Sequence, residues 1–177
     1  MIQGRLTRIR PIEATDLDHL LRCRSDPEVM RWWGDPVPLP SLEALERDVA
    51  GRFVDTDTAL YLIVETAAGE PVGRLDISGI DARHRSAEVS LYVGDPAALG
   101  EGYGSDALGA ACRYLFEQRG LHRISLTVMT GNSRAITVYE RLGFRPEGTL
   151  RRHLWMDGGP VDEIVMSLLP GEHREVG

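Results

Sequence analysis

The order of hydrophobic periods along this chain predicts a mixed α/β (α+β) fold: one twisted mixed sheet of about six or seven strands with helices on both faces. Three observations carry the prediction. Ala87, Val89, Leu91 and Val93, and again Ile124, Leu126 and Val128, alternate with other residues in the period-two pattern of strands. Ala107, Leu108, Ala111, Cys112, Leu115 and Phe116 repeat at helical spacing. The two patterns succeed one another through 177 residues without an internal repeat, a low-complexity tract or a shift of composition, so residues 1–177 are expected to form a single domain.

The elements follow in order. Arg5 to Arg10 reads as a strand, and Thr15-x-x-Asp18 opens a helix through Leu17, Leu20 and Leu21. The prolines between Pro36 and Pro40 make a loop, after which Ser41 caps a helix carrying Leu42, Leu45, Val49 and Phe53. Leu60 to Glu65 and Val72 to Ile77 form a hairpin around Ala67-Ala68-Gly69-Glu70. In the strand Ala87 to Val93, Glu88, Ser90 and Tyr92 share one face. A helix from Ser105 ends at Gly120, and a second, capped by Asn132 or Ser133, holds Ile136, Tyr139 and Leu142 and stops at Gly143. Phe144 to Leu150, Arg152 to Met156 and Val161 to Leu169 read as closing strands, the last two joined by a turn at Asp157-Gly158-Gly159.

Composition narrows the function classes. The formal net charge of −7 disfavours nucleic acid as a partner and mildly favours cationic ones. No stretch is apolar enough for a membrane helix and Met1-Ile2-Gln3-Gly4-Arg5 carries no signal-like apolar segment, so a cytoplasmic protein without a membrane partner is expected. Cys23 and Cys112 have no metal or redox spacing and read as small buried or semi-buried thiols. No metal is expected.

The most informative stretch runs from Val93 to Ser105, a strand emptying into the loop Gly100-Glu101-Gly102-Tyr103-Gly104 that opens a helix. Unpaired N–H groups at a helix N-terminus carry partial positive charge, and glycines let a phosphate approach them closely. The loop is not a Walker loop, since no Gly-Lys-Ser/Thr follows, and its Gly-x-Gly-x-Gly spacing departs from the dinucleotide fingerprint. Phosphate binding survives that comparison; nucleotide hydrolysis and dinucleotide binding lose ground.

With Asn132-Ser133-Arg134-Ala135-Ile136 leading to Tyr139-Glu140 and Gly143-Phe144, the chain from about Arg5 to Leu169 resembles the GNAT superfamily of N-acetyltransferases. His84-Arg85-Ser86-Ala87-Glu88 resembles the branch that holds polyamine and ribosomal-protein N-terminal acetyltransferases. The resemblance implies acetyl-CoA as cosubstrate. Its pyrophosphate would rest on Gly100, Gly102, Tyr103, Gly104 and Ser105, its pantetheine arm on the backbone of Leu91 and Val93 and on Asn132, with Tyr139 near the sulfur. Leu99 departs from the pattern, standing where the family usually has Gln or Arg, and so removes one side-chain contact to the pyrophosphate.

The implied reaction is direct transfer of an acetyl group to a primary amine, a small cationic one such as a polyamine or aminoglycoside. The alternatives are a protein N-terminus, ribosomal or other, and a non-catalytic acyl-CoA-binding module. A homodimer is left open. Tyr139 is the candidate general acid for the departing thiolate and Glu88 the candidate base for the amine. Ser105 is expected to cap its helix and to touch a phosphate. His84, His122 and His153 are expected to be structural or surface residues. Trp32, Trp33 and Asp35 lie in the loop Arg31 to Pro40, where the family usually builds its acceptor site, without a readable role, and the acceptor loops Arg31 to Pro40 and Arg151 to Pro160 follow no readable code.

Overall fold

A computed structural model describes residues 1–33, 41–53 and 55–175. Asp35 and the proline loop therefore lie outside the described residues. Among the described residues, one sheet of eight strands runs in the order β1 (Ile2–Gln3), β2 (Thr7–Pro11), β3 (Leu60–Thr66), β4 (Pro71–Asp81), β5 (Ser86–Val93), β6 (Arg123–Met129), β8 (Gly159–Leu168), β7 (Arg145–Met156). The sheet is mixed, as expected, with a strand or two beyond the number anticipated. The additional pairing comes from Ile2–Gln3 at the edge, too short to leave a periodic signal. All neighbours are antiparallel except β5 and β6.

Alternation divides the strand residues between two faces. Ile9, Leu62, Val64, Leu75, Ile77, Ala87, Val89, Ile124, Leu126, Val128, Met166 and Leu168 bury one face against helices α4 (Tyr103–Glu117) and α5 (Ser133–Leu142). Ile63 on the other face packs with Leu20 of α1 (Leu17–Ser25) and Leu45 of α3 (Leu42–Arg47). A short helix α2 (Pro27–Arg31), capped by Asp26 whose Oδ1 accepts the Glu28 N–H at 2.8 Å, joins that second layer. Ser41 caps α3 as expected, its Oγ accepting the Ala44 N–H at 3.1 Å.

The entry to α1 departs from the Thr15-x-x-Asp18 reading. Asp16, 3% exposed, takes the Glu13 N–H at 2.8 Å and both terminal nitrogens of Arg10 at 2.8 Å, while Arg10 Nε donates to Glu65 at 2.9 Å. A buried carboxylate tied to a guanidinium from β2 outranks a surface cap, because leaving either partner buried alone costs several kcal/mol. The closing strands also differ from the expectation. The segments read as Phe144 to Leu150 and Arg152 to Met156 are one strand, β7, with an irregularity between Leu150 and Leu154.

Candidate active site

The parallel partners β5 and β6 touch only at their beginning: Ser86 faces Arg123, Ala87 faces Ile124 and Glu88 faces Ser125. Beyond Glu88 they part. The Gly94 N–H bonds the Val72 carbonyl across β4 at 2.8 Å, and hydrogen-bonding direction alternates along a strand. Tyr92 and Ser90 therefore turn their backbone groups to β4, while Val89, Leu91 and Val93 turn theirs toward the opening. The result is a wedge with an unpaired ladder edge, which an amide-bearing chain can pair with as a strand would.

The glycine loop delivers α4 to the same place. Gly100 (φ +97°) and Gly102 (φ +88°) occupy the left-handed region that favours glycine, and Gly102 is the N-cap residue of α4. A Cβ on Gly104 would lie 3.4 Å from Val93 Cγ2 and 3.7 Å from Leu91 Cδ2, so the first turn of α4 rests directly on the strand edge described above. Ser105 does not cap the helix. Its Oγ donates to the Gly102 carbonyl at 2.9 Å, because the chain enters α4 through the left-handed glycine and leaves Ser105 already inside the first turn. Near the loop stands a cation: Arg134 Nη2 lies 3.5 Å from where a Cβ on Gly100 would be. Leu99 is exposed.

Asn132 caps α5, its Oδ1 accepting the Ala135 N–H at 3.2 Å, and its own N–H bonds the Met129 carbonyl at 2.9 Å. That fixes α5 to the end of β6. Tyr139, one turn beyond Ile136 on α5, packs on the α4 side of the sheet and meets Phe144 at a centroid distance of 5.9 Å. Burial pushes its phenol up to about 12, so it is held protonated and can donate. Glu88 is exposed on the opposite face, with Ser90 and Tyr92. The two candidate proton-handling groups thus stand on opposite faces of the sheet, and the opening between β5 and β6 connects them.

The α1–α2 side of the opening is built from aromatic and charged groups. Trp33 meets Tyr92 edge-on at 4.9 Å and packs with Cys23 and Met30. Trp32, 42% exposed, has its ring edge 3.7 Å from where a Cβ on Gly131 would be, and Arg31 pairs with Asp157 of the β7–β8 turn at 3.5 Å. The end of α2 therefore bridges from the β5 wall to the β6–β8 wall. Beneath it Arg74, 6% exposed, holds Asp76 through two bonds of 2.7 Å with its guanidinium 3.9 Å from the Phe53 ring centroid.

Cys23 and Cys112 are both buried, and burial pushes the Cys23 thiol up to about 12 and Cys112 higher still, so neither is poised as a nucleophile. His122 Nδ1 lies 3.0 Å from the Arg85 carbonyl, a structural contact. His153 is exposed, in keeping with the expected structural or surface role, and it hydrogen-bonds the buried carboxylate of Glu163. The contacts of Arg134 and Trp32 and the His153–Glu163 pair were not legible in the sequence, since each joins two different segments of the fold.

The candidate site combines a splayed parallel strand pair and a glycine-opened helix with an Asn-capped helix carrying a tyrosine. The residues present fit acetyl-CoA: an amide-pairing edge at Leu91 and Val93 continues into an N–H cradle at Gly100–Ser105. The chain belongs to the GNAT family, whose acetyltransferase domain model matches residues 6–145. It is an acetyl-CoA-dependent N-acetyltransferase. It is 28% identical to the spermidine N(1)-acetyltransferase of Escherichia coli (strain K12) over 174 residues, covering 96% of this chain and 91% of that one. It is also 28% identical to the uncharacterized N-acetyltransferase YoaA of Bacillus subtilis over 169 residues, 91% and 92% of the two chains. Among solved structures, that of the Vibrio cholerae spermidine N-acetyltransferase in complex with CoA and spermine superposes with a TM-score of 0.86 at 26% identity, covering 94% of this chain and 97% of that one. Among the described residues no helix is long and apolar enough to cross a membrane.

Proposed function

We propose that this protein acetylates a small cationic amine of the polyamine class, with the amine entering from the α1–α2 face and the thiol departing toward α5. The observation that carries the reading is the opening between β5 and β6, which has a carboxylate, Glu88, at the point of divergence on one face and Tyr139 on the other. Full-length likeness to proteins named spermidine N(1)-acetyltransferase, and the excess of 27 acidic over 20 basic residues, support a cationic acceptor.

In this reading backbone groups of Leu91 and Val93 and the N–H groups at Gly100 to Ser105, with Asn132 beside them, hold the cosubstrate, and the Arg134 guanidinium supplies the cation that Leu99 does not. Glu88 accepts a proton from the amine nitrogen, directly or through water, since an ammonium has no lone pair with which to attack. Tyr139 donates to the leaving sulfur. Attack is direct, without a covalent enzyme intermediate, and positioning supplies much of the acceleration. Turnover of acetyl-CoA across polyamines, aminoglycosides, amino acids and N-terminal peptides tests the reading: polyamines are expected to give the highest kcat/KM. Turnover confined to neutral amines or to peptide N-termini would remove the polyamine assignment. Glu88→Gln is expected to lose activity at neutral pH and regain part of it at high pH, where the amine arrives deprotonated; a profile parallel to that of the parent protein would remove Glu88 as base.

A further inference from the structure

The β7–β8 edge holds titratable groups that the chemistry above does not use. Leu150 faces Glu163 and Leu154 faces Val161, so Arg151, Arg152 and His153 together stand opposite the single residue Asp162. A bulge of this kind re-aims a side chain. Arg152 at its centre has φ +55°, sparsely populated for a side-chain-bearing residue, and its N–H donates to Asp162 Oδ1 at 2.6 Å. The conformation that the Asp162 carboxylate sustains places His153 Nδ1 against Glu163 Oε2. Glu163 is 8% exposed, whereas the His153 side chain is 55% exposed.

Register places this pair. Ile164, Met166 and Leu168 point into the main core, so Glu163 lies on the other face, the face of Glu88, where it stands opposite Met129 at the end of β6. The Met129 carbonyl receives the N–H of Asn132, and the turn that continues β7 is tied to the end of α2 through Arg31 and Asp157. The imidazole and its carboxylate thus belong to the β6–β8 wall of the acceptor side, across the opening from Glu88.

Converting an ammonium to an amide removes two protons from nitrogen, while the thiolate takes up one; the other leaves to solvent. We propose that, after Glu88 has taken the first of these protons from the incoming ammonium and released it to solvent, His153, oriented by Glu163, accepts the second at Nε2 as nitrogen bonds to the acyl carbon and the carbon–sulfur bond breaks, and passes it to water, from which the proton given to the thiolate is replaced. An imidazole is a stronger base in water than a carboxylate by about two pH units, and one held at Nδ1 by a carboxylate has its tautomer fixed. The charged groups around it are Arg151 and Arg152 on β7, Asp162 and Glu163 on β8, the Arg31–Asp157 pair and, across the opening, Glu88. Partial exposure gives the accepted proton its exit. The assignment rests on the acceptor side identified above.

The test uses the full chain and an amine that the parent protein acetylates. His153→Ala is expected to lower kcat/KM for the amine about tenfold or more while KM for acetyl-CoA and the melting temperature hold, and added imidazole should restore part of the loss in His153→Ala but not in Glu88→Gln. Glu163→Gln should show a smaller loss. Independently of activity, ring-nitrogen NMR should find the Nδ1–H tautomer of His153 in the parent and a shift toward Nε2–H in Glu163→Gln. Undiminished activity of His153→Ala, a loss that imidazole leaves untouched, or an Nε2–H tautomer in the parent overturns the proposal. If polyamines are not substrates but a peptide N-terminus is, the acceptor reading falls while the same comparison on the peptide still decides His153.

Discussion

Replacing Gly102 by alanine separates the backbone cost of the phosphate loop from its function. Gly102 sits at φ +88° and ψ −4°, and the left-handed region costs a residue with a Cβ about 1–2 kcal/mol. For a domain of this size that corresponds to a melting-temperature drop of about 2–8 °C. The nearest atom to the new Cβ is Leu6 Cδ1 at 3.4 Å, so little steric cost adds to the conformational one. Relief of the strain would rotate the N–H groups that open α4, and losing one hydrogen bond to a charged phosphate costs about 1.5–3 kcal/mol, or about ten- to a hundredfold in affinity. Gly158→Ala is the matched control: it has φ +78° and no atom within 4 Å, but lies in the β7–β8 turn. Both variants should lose comparable stability in thermal melts, and only Gly102→Ala should lose CoA affinity in calorimetry. Equal CoA affinity in the two folded variants would refute the assignment of the loop.

Tyr139→Phe should lower kcat by about ten- to a thousandfold with CoA binding intact, as loss of a general acid predicts; single-turnover kinetics at saturating acetyl-CoA would reveal it. Arg134→Ala should weaken CoA about three- to tenfold, less at high salt, because the guanidinium is exposed and its charge is screened; calorimetry at two ionic strengths checks this. Acid stability should report Asp16. Burial pushes its carboxyl up, but the Arg10 and Glu13 hydrogen bonds outweigh that and hold it below the ordinary range. The folded-state value being the depressed one, this stabilisation is present above the unfolded-state value of about 4 and is lost as pH falls through and below it. Denaturant midpoints should therefore drop below about pH 4 more steeply in the parent than in Asp16→Asn, which starts lower and stays flat.

The sequence by itself determined the identity of most elements and the backbone conformation of the glycine loop. Periods of two and of three to four residues are local, so Ala87 to Val93 and the helix of Ile136, Tyr139 and Leu142 could be read directly. Gly100, Gly102, Asn132 and Gly143 mark left-handed turns and caps whose causes are equally local. Where a capping signature competed with a partner on another element, the partner won: Arg10, arriving from β2, makes Asp16 an anchor and overrides the Thr15 signature. A three-residue bulge makes one strand of the segments around Arg151 to His153 because Asp162, on the neighbouring strand, holds the Arg152 N–H.

That β5 and β6 lie side by side and part was implied by the family resemblance and not by either strand's own pattern, and the tertiary structure fixed Glu88 as the last paired residue. Pairing is a long-range property with no trace in either strand's own pattern. The same holds for Arg134 at the glycine loop, Trp32 over Gly131, and His153 against Glu163, ten residues apart in sequence but joined across a strand pair. A charge or an aromatic ring on a surface segment has the same local signature whatever it meets, so its partner is fixed only when the chain closes the sheet around it.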